Sequence, residues 1–274
     1  MAEVSTNIPL QNLAVNVPVR FRGAGFDPVP RQWVAWTFFA ALLLLWQAGS
    51  MHGLIDQLFL PSPVRIAQSL YELTLSGELL RHLGVSLARI GVGWLFGTIA
   101  GVLVGGLIGL SSIWRSAGLP FISALFPIPK IALLPLLILW LGIGEASKIA
   151  TIALGVFFPM AISTYAGVDN VQRNLIRMAQ SFNVPVAAII AKVVIPGMLP
   201  SVLSGCRISA SIALILVVSA EMIGANVGIG SFLLTAGNLM QTDQLMAGIV
   251  AISILGLVIG AVISWLERVL LSWR

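Results

Sequence analysis

Apolar residues dominate this chain in six stretches, at about 33–50, 85–110, 117–141, 147–167, 201–223 and 245–266, separated by short polar connections. A helix crossing the hydrocarbon core of a bilayer needs roughly 20 mostly apolar residues, within a range of about 17–25. Each stretch therefore predicts one transmembrane helix. The second is rich in glycine: Gly91, Gly93, Gly97, Gly101, Gly105, Gly106 and Gly109. Small residues one turn apart let helices approach closely, so this span is expected inside the bundle. The third carries Pro120, Pro127, Pro129 and Pro135. Proline removes a backbone donor, and at membrane depth the freed carbonyls need protein or water nearby. A broken helix lining a cavity and a kinked packing helix both fit that pattern.

Between the first two spans, "FLPSPVRIAQSLYELTLSGELLRH" (59–82) reads as a short surface helix. Ser62–Pro63 can start it, because proline is tolerated in a first helical turn. Ile66, Leu70 and Leu73 recur at helical spacing, and Gly77 ends it.

The connection between the fourth and fifth spans has a different pattern. Over 171–183, Val171, Leu175, Met178 and Phe182 fall on one helical face, while Gln172, Arg173, Arg177 and Gln180 occupy the other. Asn183 stands where a left-handed residue would close the helix, a conformation asparagine tolerates. Pro185 then opens a second short helix over 185–195, which Pro196 is expected to end. The result is an apolar knob with a polar rim. An amphipathic connector lying on the membrane surface and a docking element for a groove on a soluble partner both match the pattern.

Composition strengthens the membrane assignment. The chain is 58% hydrophobic and 9% charged over 274 residues, where a soluble domain carries about 25% charge. Mean hydropathy is +1.01. The net charge of +5 comes from scattered Lys and Arg with no basic run, which excludes nucleic acid as a partner and leaves the lipid bilayer. The first 32 residues hold Arg20, Arg22 and Arg31 but no early apolar run, so they read as a cytoplasmic tail and not as a cleavable signal peptide. With that tail inside, the inner segments hold Arg20, Arg22, Arg31, Arg115, Arg173, Arg177, Lys192, Arg268 and Arg274, against Arg65, Arg81 and Lys148 outside. The positive-inside rule then puts both termini, and the 168–200 connection, in the cytoplasm. The expected organisation is a tail over 1–32 and an all-α membrane domain over 33–274.

The 168–200 connection resembles the cytoplasmic loop of permease subunits of ATP-binding-cassette importers. That loop reads Glu-Ala-Ala, three residues, Gly, nine residues, Ile-x-Leu-Pro. Here Arg177-Met178-Ala179, then Gln180 to Phe182, Asn183, nine residues, and Val193-Val194-Ile195-Pro196 keep every spacing. Two positions depart from the pattern: Arg177 replaces the acid and Asn183 the glycine. "FLPSP", "PIPKIALLPLLILWLGIGEASK", "IPGMLPSVLSGCRIS", "VVSAEMIGANVGIG" and "QTDQLMAGIV" extend the likeness over roughly 33–274, to the nitrate, sulfonate, taurine and bicarbonate group. The resemblance implies a six-helix bundle of the type I importer permease fold in a bacterial inner (plasma) membrane. It also implies a second permease copy, two cytosolic ATPases and an extracytoplasmic solute-binding protein. In that family the loop is the coupling helix seated in an ATPase groove. Leu175, Met178 and Phe182 would be its apolar anchors here, with Arg177, Ala179, Gln180, Ser181, Asn183, Val184 and Pro196 around them.

The chain has no phosphate-cradling G-x-x-x-x-G-K-[ST] and no nucleophile–base set, so it is not expected to be an enzyme. ATP and Mg would be bound by the partner ATPase, and no cofactor by this chain. Neither His52 nor His82 has neighbours at metal-ligand spacing, and both read as surface histidines. Charges within spans are expensive enough to be functional candidates by default. Arg89 and Arg207 lie near span ends, where snorkelling or pairing suffices. Lys130, with Pro127 and Pro129 before it, and Ser209, Ser219 and Glu221 are the candidates for a translocation path. Glu221 would repel an anion. Its expected role is to pair with a cation such as Lys130 or Lys148, or to hold the glycine-rich loop after it. The alternative function is an ATP-independent secondary transporter or channel, which should show inverted repeats or a relay of membrane-buried acids.

Overall fold

The computed structural model describes residues 32–272; apart from Gln32, the tail expected over 1–32 lies outside them. The described residues fall into two units, one ending at Ala48 and the other running from Gly49. The first holds most of α1 (Gln32–Met51), a twenty-residue helix apolar along its length.

In the second unit, α2 (Pro63–Leu75) begins as expected. The Ser62 hydroxyl accepts the Arg65 amide, Pro63 occupies the first turn, and Ile66, Ser69 and Leu73 are buried. Gly77, at φ 76°, turns the chain directly into α3 (Glu78–Leu110). The third predicted span is two helices, α4 (Ser112–Leu125) and α5 (Leu134–Leu141), the second entered through a single 3-10 turn, Lys130–Leu133. The segments on either side of the break meet at 88°.

α3 packs most extensively on α6 (Glu145–Asp169), and α6 in turn on α9 (Ile195–Gly224). The close approach of α3 to α6 follows from sequence. Gly93, Gly97, Gly101, Gly105 and Gly109 recur every four residues and lie against Ile152, Val156, Met160, Thr164 and Val168, also four apart. A side chain on Gly93 would begin 2.7 Å from Ile152. Gly91 and Gly106, off this stripe, face open space. Ile152, Val156, Met160, Ala213 and Val217 form the centre of the core. α10 (Ile229–Asn238) packs against α9 and α11 (Thr242–Leu270), and α2 packs against α11.

Between α6 and α9 stand α7 (Arg173–Ser181) and the single turn α8 (Val186–Ile189). Pro196 does not end the second helix here, contrary to expectation. After α8 the chain widens into a π turn over Ile190–Val194, and the Ile195 amide bonds back to Ile190. The α-ladder restarts at Ile195, so Pro196 falls in the first turn of α9, where no amide is required of it. Residues 186–224 therefore form one helical rod of 39 residues. Five long apolar helices plus the broken pair account for six candidate spans.

Candidate functional site

Two structured regions stand at opposite ends of the bundle, with the membrane-depth candidates between them. At one end, α7 projects from the α6–α9 pair. Val171, 6% exposed, anchors its base against Gly197. The helix closes through paired backbone bonds, Val184 to Ala179 O at 3.1 Å and Asn183 to Gln180 O at 2.9 Å, with Asn183 left-handed at φ 54°. These bonds satisfy carbonyls that a helix end leaves open. Pro185 follows in extended geometry. The turn presents Phe182 at the tip, 76% exposed, beside the exposed Leu175, Met178 and Val186. Arg177, Gln180, Ser181, Asn183 and Val184 are exposed around them, Ala179 is half-buried, and Pro196 is half-buried at the root of α9.

At the opposite end, the fully buried Glu221 near the end of α9 is held from three directions. The Ser86 hydroxyl lies 2.8 and 2.9 Å from its two oxygens, the Gly230 amide donates at 2.9 Å, and Arg89 Nη1 donates at 2.7 Å. Arg89, only 5% exposed, also donates to both oxygens of Glu145 at 2.6 Å and to Val227 O at 2.7 Å. All three nitrogens of that guanidinium are thus engaged. Ser86 accepts the Ile229 amide at 2.9 Å, and His82 Nδ1 accepts the Gly228 amide at 3.0 Å. The cation expected opposite Glu221 is therefore Arg89 and not Lys130 or Lys148; the other expectation, a hold on the glycine-rich loop, is met. His82 is half-buried against that loop and Phe232, so it is not a free surface histidine. Lys148 lies in the first turn of α6, buried, donating to Gly144 O at 2.9 Å. A cleft of about 490 Å³ opens beside the network, lined by Arg89, Glu145, Lys148 and Asn226 among others.

Sequence reasoning singled out Arg89 and Glu221 but missed Glu145, Ser86 and His82. A usable signal existed: His82, Ser86 and Arg89 lie at i, i+4 and i+7 on one face of α3, and "GANVGIG" follows Glu221 within one turn.

The membrane-depth candidates separate. Lys130 Nζ donates to the carbonyls of Leu125, Phe126 and Ile128 at 2.7, 3.1 and 2.7 Å and sits 4.2 Å over the Phe158 ring. It replaces the backbone donors lost around the exposed Pro127 and Pro129, so it holds the break together. Lys130→Met leaves these carbonyls without a donor, at about 1–3 kcal/mol each where no water reaches. The expected result is a lower unfolding midpoint in detergent, read by a thiol-reactive dye on the sole, buried Cys206. An unchanged midpoint would refute the role. Ser209 is buried and accepts the Trp94 indole N–H at 3.0 Å, a packing contact. Ser219 lines an open groove of about 520 Å³ between α9 and α11, with Ser211 and Ser253. Arg207 pairs with Glu267 on α11, and Arg115 with Asp169 at the end of α6.

The family described as "Binding-protein-dependent transport system inner membrane component" matches residues 97–273. The chain is 38% identical over 242 residues to the taurine transport system permease protein TauC of Escherichia coli (strain K12), covering 86% of this chain and 87% of that one. It is 37% identical over 235 residues to SsuC of Bacillus subtilis (strain 168), a permease named for aliphatic sulfonates transport, covering 86% and 85%. A chain of the MetNI methionine ABC transporter, solved in inward-facing conformations, matches in fold at a TM-score of 0.62 and 20% identity, over 72% of this chain and 98% of that one. The family match and relatives aligned over most of both chains, all transport permeases, make this chain a transport subunit. The chain belongs to the inner-membrane permeases of binding-protein-dependent ATP-binding-cassette importers. Within them it falls in the nitrate, sulfonate, taurine and bicarbonate group, and it is a multi-pass membrane protein, not an enzyme.

Proposed function

We propose that two copies of this chain form the path of an importer for small sulfonate-class anions. An extracytoplasmic binding protein delivers the solute at the Arg89–Glu221 end. Cytosolic ATPases, which bind ATP and Mg, engage the α7 loop at the other, with both termini cytoplasmic. The observation that carries this reading is the knob of Leu175, Met178 and Phe182. Phe182, 76% exposed, stands with the exposed Leu175, Met178 and Val186 in one apolar patch, the kind of surface that marks an interaction site. The excess of Lys and Arg in the segments on that side supports a cytoplasmic placement. The names of the relatives, taurine and aliphatic sulfonates, support the cargo class. ATP binding and hydrolysis would close the ATPases on each other and swing both α7 loops, switching the paired bundles between inward- and outward-facing forms.

Phe182→Arg places a charge at the centre of that contact. In cells taking up labelled taurine or an alkanesulfonate, uptake is expected to fall to background with the permease still at its normal level. In mild detergent, the ATPase identified by mass spectrometry with the wild-type permease should be lost. Normal uptake by the variant would sink the docking reading. Uptake that persists in cells depleted of ATP would point instead to a secondary transporter.

A further inference from the structure

The charges on α7 point to the character of the surface it meets, an inference that rests on the docking reading above. Arg173 is the first residue of α7, at the positive end of the helix dipole, with no acid in the first turn and no side-chain cap from Gln172. A cation there is locally unfavourable. Arg177 follows one turn later on the same face, and like charges at i and i+4 repel. Both side chains are exposed, and among the described residues neither has a carboxylate partner. The nearest acid in sequence, Asp169, is taken by Arg115. Between 170 and 194 the chain has no Asp or Glu at all, while Lys192 adds a third exposed cation. Arg89, Arg115 and Arg207 are all ion-paired within the bundle. The positive-inside bias accounts for cations on this side of the membrane, but no carboxylate in the described fold pairs with Arg173 or Arg177, so a pairing negative charge belongs to whatever receives the loop.

Anionic lipid headgroups could supply negative charge, but the geometry favours a protein. From Gly197, which touches Val171 at the end of α6, the helical rod runs back to Val186 for about 16 Å more. At about 1.5 Å per residue the 39-residue rod is about 58 Å long, against about 40–45 Å for a bilayer with its headgroups. A rod of that length reaches beyond the headgroup layer of a bilayer that it crosses, and Phe182 lies four residues before its α7 end.

We propose that the cognate ATPase presents a groove with an apolar floor and an acidic rim, and that Arg173 and Arg177 select this ATPase by pairing with carboxylates on that rim. The acid-for-arginine exchange at 177 then marks a charge pattern particular to this permease and its partner.

The test uses full-length permease in phosphatidylcholine nanodiscs and the purified ATPase identified with the wild-type protein. Arg173→Glu/Arg177→Glu is expected to weaken binding at least about tenfold, mainly through a slower on-rate. Wild-type affinity should fall as added salt shortens the screening length from about 10 Å to about 3 Å, and the variant's should not. Undiminished binding by the double variant, with Phe182→Arg still abolishing it, would overturn the acidic rim and leave the docking reading standing. No binding by the wild type would overturn both. If the double variant binds normally and tryptic cleavage after Arg173 and Arg177 is slowed only in phosphatidylglycerol nanodiscs, the arginines belong to lipid headgroups and the proposal fails.

Discussion

Arg89→Met is expected to remove most of the folded permease from the membrane. Glu221 is fully buried, and Arg89 is the only cation bonded to it among the described residues. Breaking a buried pair from one side typically costs about 3–5 kcal/mol, because the remaining charge is left uncompensated. A chain with a stability of about 5–15 kcal/mol loses a large share of it. The same change frees Glu145 and Val227 O, so α3, α6 and the loop after α9 lose the side chain that ties them together at this end. The check is the unfolding midpoint of the purified protein in detergent, read by dye labelling of Cys206, beside the amount of protein in the membrane. Arg89→Met/Glu221→Met removes both buried charges at once and should recover much of the lost midpoint. A double variant no better than Arg89→Met would show that the loop contacts of Arg89, and not the charge on Glu221, carry the cost.

Much of this architecture was legible in the chain because the relevant physics is local. Span lengths follow from bilayer thickness, and five of the six apolar stretches lie within single helices, the third being broken between α4 and α5. The start of α2 at Ser62–Pro63 and the left-handed Asn183 follow from backbone preferences that single residues express. Pro196 was misread for the same reason. A local rule ends a helix at proline, but here the π turn over Ile190–Val194 shifts the hydrogen-bond register, and the rod continues. The partner of Glu221 was not legible because Arg89 lies 132 residues away, and only the packing of α3 against α9 brings them together. Lys130 is a path candidate in the sequence through its charge and its place after Pro127 and Pro129 in a broken span. Its actual partners are three carbonyls within five residues, an arrangement that appears only once the helix breaks at 88°.

The two ends of the molecule differ in how their charges are treated, and that difference bears on function. At the Glu221 end the buried charges of Arg89 and Glu221 are paired inside the subunit, which fixes the loop after α9 to α3 and α6. At the α7 end the apolar anchors and two arginines are left exposed on an ordered turn. The first arrangement suits a rigid platform and the second a surface completed by another protein. Under the proposed function, the bundle between them would transmit movement from one end to the other, which would require α3 and α6 to move as one body.

Gly101→Ala tests that rigidity, and with Gly106→Ala it separates packing from helix propensity. Both residues lie in α3, within two turns of each other. A side chain at Gly101 would begin 2.5 Å from Met160 Cβ and 2.7 Å from Phe157 O, whereas one at Gly106 would meet nothing within 4 Å. Alanine is the better helix former by about 0.5–1 kcal/mol, so Gly106→Ala should leave the Cys206 labelling midpoint unchanged or raise it. Gly101→Ala has to push α6 away against backbone as well as side chain. Overpacking of this kind costs about 1–3 kcal/mol, and contact with a backbone carbonyl places it at the upper end of that range. Because neighbouring stripe positions share the contact, Gly97→Ala/Gly101→Ala should cost more than either change alone, since a side chain at Gly97 would begin 2.5 Å from Ala153 O. Under the proposed function, uptake should also fall further than the protein level does, because a spread α3–α6 pair would carry α7 movement poorly. Midpoints that shift in the same direction for Gly101→Ala and Gly106→Ala would show that the glycines set helix propensity alone, and the stripe would lose its role as the seam of the bundle.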